Sequence, residues 1–449
     1  MRRSRISSPN RSHAPACSFV ALLAALASPA GFAAQVTDVA DAIDGEDPFD
    51  ANLELRVEYT FHRALITREN LQPAEFGGVR TVHVRELEYM RHTARVRPRL
   101  EIGLFHDLAV FAEWPLPAYD QQTWGFAAGT TADNSTLARD MRSPPVVDNW
   151  TEPGTQYGIP GTERDQSHTA WNINLDQNGE FQKARSGIDY PILGVRWSPV
   201  NNDRDDTKPA ITLQFDYKPA FLLPIMQDEN DLPNGQLSTF AADATHRLHF
   251  AFAFSKRFLI LDPYFLADYT FPFANDSAVL GLEPRHDAGF RIGIEIIPYE
   301  NDTLDQKFVV DMALTTRYFS PGRDYSEVSD MLNELTWTDE WIRAGAQTAL
   351  VFKAWKFISF DLTAGAFYDT PHYVSTEVIG CDGGCSSPGI LSRLVDAFNP
   401  NKQLDGNIQV GDRGERNPYY NPVIDTPGRR LRVDESMYFT VVAHAMVTF

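Results

Sequence analysis

Arg95, Arg97 and Arg99 stand two residues apart, with Glu101 next in the same register. In an extended chain this spacing puts three guanidiniums on one face, a stripe about 13 Å long at ~3.3 Å per residue. A planar guanidinium pairs bidentately with carboxylate or phosphate, so the chemistry of the stripe is the guidance of anions. Glu54, Arg56 and Glu58 alternate in the same way upstream, and Glu54, Glu58 and Glu101 are the carboxylates placed to neutralise it. Covalent catalysis has less support. His246 and His249 are three apart, which in a strand sets them on opposite faces. His286-Asp287 reads as a solvated loop pair, with a rim hydrolase as the third-ranked function. The chain has no phosphate-cradling glycine loop and no nucleophile elbow, and it is expected to be a non-enzyme without cofactor or metal.

These residues need strands to hold them. In Asn52–His62, Leu53, Leu55, Val57, Tyr59 and Phe61 share one face, and Glu54, Arg56, Glu58, Thr60 and His62 share the other. Period two over that length signals a strand with one apolar face. Leu248, Phe250, Phe252 and Phe254 repeat the pattern, as do Phe290, Ile292, Ile294 and Ile296, and the last strand from Met437. The opposite register collects Glu113, Asp216, Lys218, His249, Asp268, Arg291, Glu295, Asp311, Arg317, Arg343, Asp361 and His444 beside the residues already named. A lipid-facing Arg or Lys costs about 2–4 kcal/mol near the bilayer midplane, so the charged register belongs inside. These residues are the candidate lumen and pore lining, either as a cross-strand ion-pair network or as a charged constriction.

About twelve strands of this kind are predicted, close to the ~9–11 residues that a tilted strand needs to cross. Short connections fall near 105–107, 199–208, 256–260, 299–306 and 353–356. Long ones fall near 64–88, 117–186, 222–244, 272–286, 320–339 and 370–435. Short turns alternating with long loops, and an even count, predict an all-β fold, a closed antiparallel transmembrane β-barrel. A soluble sandwich gives no reason for that alternation.

The N-terminus supplies an export leader: Arg2, Arg3, Arg5 and Arg11, then an apolar run over Phe19–Ala27, then small residues ending at Ala33 or Ala34. The chain divides into a signal peptide at 1–34, an acidic periplasmic segment at 35–50 and a barrel at 51–449. The acidic run from Asp38 to Asp50 lacks the ligand spacing of a calcium loop and reads as a solvated linker. Loss of the leader arginines makes a chain of net charge −20 more acidic still, which excludes sequence-independent nucleic-acid binding. Export also meets oxidising conditions, so Cys381 and Cys385 in Cys-Asp-Gly-Gly-Cys are expected to form a loop disulfide.

The last twelve residues, Tyr438 to Phe449, place Val441, Ala443, Ala445, Val447 and the terminal Phe449 on one face. This ending resembles the insertion signal of Gram-negative outer-membrane β-barrels, of which porin-like channels of twelve strands are the nearest analogues. The resemblance implies residence in the outer membrane, contact with its lipid and lipopolysaccharide, recognition of Phe449 by the barrel-assembly machinery, and a monomer. The expected function is a porin-like channel for small solutes, anions among them. The alternative is a structural or adhesive surface barrel with an occluded lumen.

Overall fold

The structure, a computed structural model, describes residues 34–37, 39–40, 50–137, 179–201, 207–220, 245–274, 282–301, 303–332, 335–355, 357–375, 424–425 and 428–449. Alternation in sequence becomes alternation in exposure. Along β1 (Ala51–Pro73), Leu53, Leu55, Val57 and Tyr59 are 44–48% exposed, while the charged residues between them turn inward. The same alternation runs through β14 (Trp341–Trp355) and β15 (Ile358–Asp369).

All strands join one antiparallel sheet that closes on itself. In chain order the first staves are β1, β2 (Val79–Phe105), β3 (Leu108–Glu113) continued by β4 (Leu116–Phe126), and β5 (Phe181–Arg185) continued by β6 (Ile192–Val200). Next come β7 (Ala210–Lys218), β8 (Thr245–Ser255), β9 (Leu261–Ala274), β10 (Asp287–Asn301) and β11 (Gln306–Phe319). The ring is completed by β14, β15 and β17 (Leu431–Thr448), giving twelve staves. Three short pieces, β12 (Gly322–Asp324), β13 (Thr336–Thr338) and β16 (His372–Ser375), extend the sheet on the loop side. Closure is the pairing of β1 with β17, from Asn52 opposite Thr448 to Arg68 opposite Leu431. Ala51 and Phe449 finish it with reciprocal backbone bonds of 3.3 and 2.9 Å.

Such a ring satisfies backbone groups without water, and its exterior is the apolar belt that lipid requires. Phe250 and Phe252, Phe290 and Ile292, Phe360 and Leu362, and Phe439 and Val441 all face outward in that belt. The chain is a transmembrane β-barrel of the Gram-negative outer membrane.

The connections depart from expectation on the extracellular side. The segment 64–88 is not a long loop: β1 and β2 continue through it and turn only at 74–78. At 23 and 27 residues they rise well beyond the apolar belt as a tall wall. Residues 117–126 and 181–185, also expected in a loop, form β4 and β5. The stave made of β3 and β4 is broken near Pro115, and Gly187 and Asp189 bridge the break by donating to the carbonyls of Pro117 and Pro115 at 2.9 and 3.1 Å. Cys381, Cys385 and most of 370–435 lie outside the described residues.

Candidate functional site

Midway up the lumen is a cavity of about 490 Å³. Seven arginines line it, among them Arg91, Arg95, Arg291, Arg317 and Arg343, against four carboxylates: Glu58, Asp287, Asp324 and Glu327. Inward registers of β1, β2, β10, β11, β14 and β17 deliver most of this lining. Several of the arginines are already committed. Arg91 holds Asp120 through two bonds of 2.8 and 2.7 Å, and Arg343 holds Asp369 through two of 2.7 and 2.9 Å. Arg317 bridges Asp268, at 2.7 Å, and Asp287. Arg343 also lies over the ring of Tyr438, 3.7 Å from its centroid. Bidentate pairs held in this way are rigid, and they set the shape of the chamber.

Toward the periplasm the lumen carries a denser ion-pair network. Arg97 contacts Glu58 at 3.2 Å and Glu113 at 3.5 Å. Arg99 contacts Glu54 at 3.6 Å and also Glu101, and Arg196 reaches Glu101 at 3.4 Å. His444 lies between Glu54, at 3.3 Å, and Asp361. His249 lies between Asp216 at 2.8 Å and Asp268 at 3.7 Å. Tyr264 donates to Asp311 at 3.0 Å. The arginine stripe is therefore interrupted: Arg97 and Arg99 are neutralised, and of the three only Arg95 lines the chamber.

The segment after the leader enters this network. Residues 34–37, 39 and 40, expected at the end of the leader and the start of the acidic periplasmic segment, lie inside the periplasmic end of the barrel, with a 3-10 turn at Gln35–Thr37. Thr37 shares a 2.9 Å hydroxyl bond with Ser255, and its carbonyl accepts from Thr212 at 2.8 Å. The Ala40 amide donates to Glu101 at 3.1 Å, and Arg196 donates to the Val36 carbonyl at 3.4 Å. Ala34 packs with Tyr264 and Ala313, a contact that cleavage after Ala34 removes. Val39 and Ala40 pack on Ala109.

At the other end, the chain between β12 and β13 folds over the chamber. Its short helix α1 (Ser329–Leu332) buries Met331 with Val328, Trp124, Tyr89 and Leu137 in one apolar cluster. Asp330 fixes that piece, accepting from Arg185 at 2.7 Å and from Gln122 at 2.9 Å. The tall wall is tied to the strap before β17 by Glu69, which accepts from Arg430 at 2.8 and 3.0 Å and from the Gly428 amide at 2.8 Å. Burial alone raises the Glu69 carboxyl, but the bonds from Arg430 and Gly428 outweigh it and hold the group below its ordinary 4.5. A depressed folded pKa means the contribution is complete above the unfolded value and is lost as pH falls through the folded one. Hydrogen exchange at Leu431–Asp434, corrected for intrinsic rates, is therefore expected to accelerate in acid below 4.5. Glu69→Gln is expected to loosen the strap by roughly 1–3 kcal/mol at neutral pH and to flatten that acid dependence.

Most of the residues expected to face the lumen come together in these two layers: Glu54, Glu58, Arg95, Arg97, Arg99, Glu101, Glu113, Asp216, Asp268, Arg291, Asp311, Arg317, Arg343, Asp361 and His444. Glu295 is 4% exposed, and Lys218 sits nearer the loop side with Asp189. Arg56 is opposite Arg97 and His444 in the strand register. His286 and Asp287 do not act together, since His286 bonds to Tyr269 and Asp287 turns to Arg317. Arg91, Arg196, Arg285, Asp120, Asp369 and residues 34–37, 39 and 40 are not among the lumen residues expected from the sequence. Arg91 shares the register of Arg95, which is the signal for it; Asp120 and Arg285 fall within 117–186 and 272–286, whose composition predicts loops.

No protein-family model matches the sequence, and no curated protein sequence matches it. Solved structures with a related chain path include the COG4313 outer membrane channel from Pseudomonas putida F1, at TM-score 0.39 and 8% identity over 94% of this chain and 99% of that one. A FadL homologue from Pseudomonas aeruginosa aligns at TM-score 0.33 and 9% identity over 88% and 90%. The outer membrane protease OmpT from Escherichia coli aligns at 0.27 and 7% over 89% and 97%. At these values the likenesses say nothing of activity, and the barrel rests on its own strand pairing.

Proposed function

We propose that this chain is an outer-membrane channel for small anionic solutes. The observation that carries the reading is the central chamber, where seven arginines face four carboxylates within about 490 Å³. Low-dielectric walls focus the field of such a cluster, raise the local concentration of counter-ions and select by sign. Planar-bilayer recording of the mature chain in a KCl gradient tests it. Discrete conductance steps with a reversal potential favouring chloride are expected, and Arg95→Glu with Arg291→Glu is expected to move that potential toward potassium. Cation preference in the unaltered chain overturns the anion reading.

A second reading, a structural or adhesive barrel with an occluded lumen, draws on the pieces at the two ends of the chamber. Residues 34–37, 39 and 40 occupy the periplasmic end, and the cluster around Met331 covers the loop side. That reading requires electrical silence from the mature chain and from a variant lacking residues 35–40.

A further inference from the structure

Within the chamber, two arginines and a threonine stand apart from the committed pairs. Among the described residues no carboxylate hydrogen-bonds or ion-pairs with Arg95; Glu58, opposite it in the strand register, gives its ion pair to Arg97. Arg291 has a buried Nε without a hydrogen-bond partner, and Thr315 has a buried hydroxyl without one. Arg291 and Thr315 are direct register partners on β10 and β11. Buried polar groups are normally satisfied, and leaving one bare costs free energy, so three neighbours of one cavity left open are suited to a ligand's oxygens.

Their placement says what kind of ligand. Arg95 is on the second stave and Arg291 on the eighth of twelve, so the two guanidiniums enter the lumen from opposite walls. Each offers a planar fork that matches a carboxylate. A cavity of about 490 Å³ lies within the ~300–1,000 Å³ typical of small-molecule sites. We propose that the chamber binds a short organic dicarboxylate end to end, one carboxylate on Arg95 and the other on Arg291 with the Thr315 hydroxyl. The committed pairs around it, Arg91 with Asp120 and Arg343 with Asp369, hold the walls and take no part in binding.

This inference rests on the lumen being a solute path, and it names the solute class. Calorimetric titration of the full mature chain in detergent tests it, with succinate and butyrate as probes at matched ionic strength. Saturable succinate binding at least tenfold tighter than butyrate is expected. Arg95→Gln and Arg291→Gln should each lose at least tenfold for succinate while leaving butyrate within twofold of its original affinity. Thr315→Val should lose less, and Arg95→Lys should recover part of the loss. Equal binding of the two probes, no binding, or indifference of succinate to all three positions overturns the proposal; circular dichroism confirms that each variant is folded. Succinate binding by a barrel that never conducts supports the site and removes the channel reading. Conductance without dicarboxylate preference does the reverse.

Discussion

Deleting residues 35–40 from the mature chain is expected to raise single-channel conductance several-fold. The segment's described residues lie within the barrel at its periplasmic end, and the bonds to the wall among them are few: Thr37 to Ser255 and Thr212, Ala40 to Glu101, and Arg196 to Val36. Each such bond contributes only ~1 kcal/mol net, so the segment is held firmly enough to obstruct and weakly enough to leave. The unaltered channel should therefore flicker between a small and a large level, and the deletion should remain at the large one. Thr37→Val, which removes the hydroxyl bond to Ser255 across the lumen, should lengthen the large-level dwells without changing their amplitude. Identical amplitude distributions for the full and shortened chains would show that the segment does not obstruct the path.

Arg99→Met is expected to destabilise the barrel more than most single changes. Arg99 is the partner of Glu54 and of Glu101, which is 1% exposed, and it lies 3.9 Å over the ring of Phe111. Removing one partner of a buried ion pair leaves an uncompensated charge, at a cost of about 3–5 kcal/mol. Arg196, still 3.4 Å from Glu101, offsets part of this, so the loss should fall near the lower end. Replacing Glu101 by Met as well should recover only part of the stability, because it removes the bare carboxylate but also takes the acceptor from Arg196 and from the Ala40 amide. Guanidinium unfolding in lipid vesicles, followed by Trp fluorescence, measures both variants. A single-variant loss below ~1 kcal/mol would show that the network is redundant.

Wherever one face met lipid and the other the lumen, the strands were legible in the sequence. Leu53 to Phe61 alternate because their surroundings alternate, and the terminal strand shows the same contrast. The tall wall was not legible, for a physical reason. Ile66, Thr67, Arg68 and Glu69 are all buried, since the inner face packs on the apolar cluster while the other meets Asp434 and Arg430. Register shifts at Arg63/Leu65 and Ile66/Thr67 further break the period. Asp120 and Arg185 were hidden by short strands near Pro115, Pro117, Gly187 and Pro191, residues that signal loops in sequence. For segment 34–40 a weak signal existed: Val36, Thr37, Val39 and Ala40 are poorly suited to a solvated linker, but the acids that follow outweighed them.

The ring closes by joining the first stave to the last, and the same early part of the chain supplies the piece lodged within it. Until Leu431–Thr448 arrives, the sheet is an open ribbon with no enclosed space. Residues 35–37, 39 and 40 must therefore wait for the final strand or be wrapped by the curling ribbon. Their bonds to Thr212 and Ser255 span more than 170 residues of sequence, so they belong to the slowest class of contacts to form. Biogenesis should thus pass through an unplugged barrel, and the seal becomes the last event in its maturation.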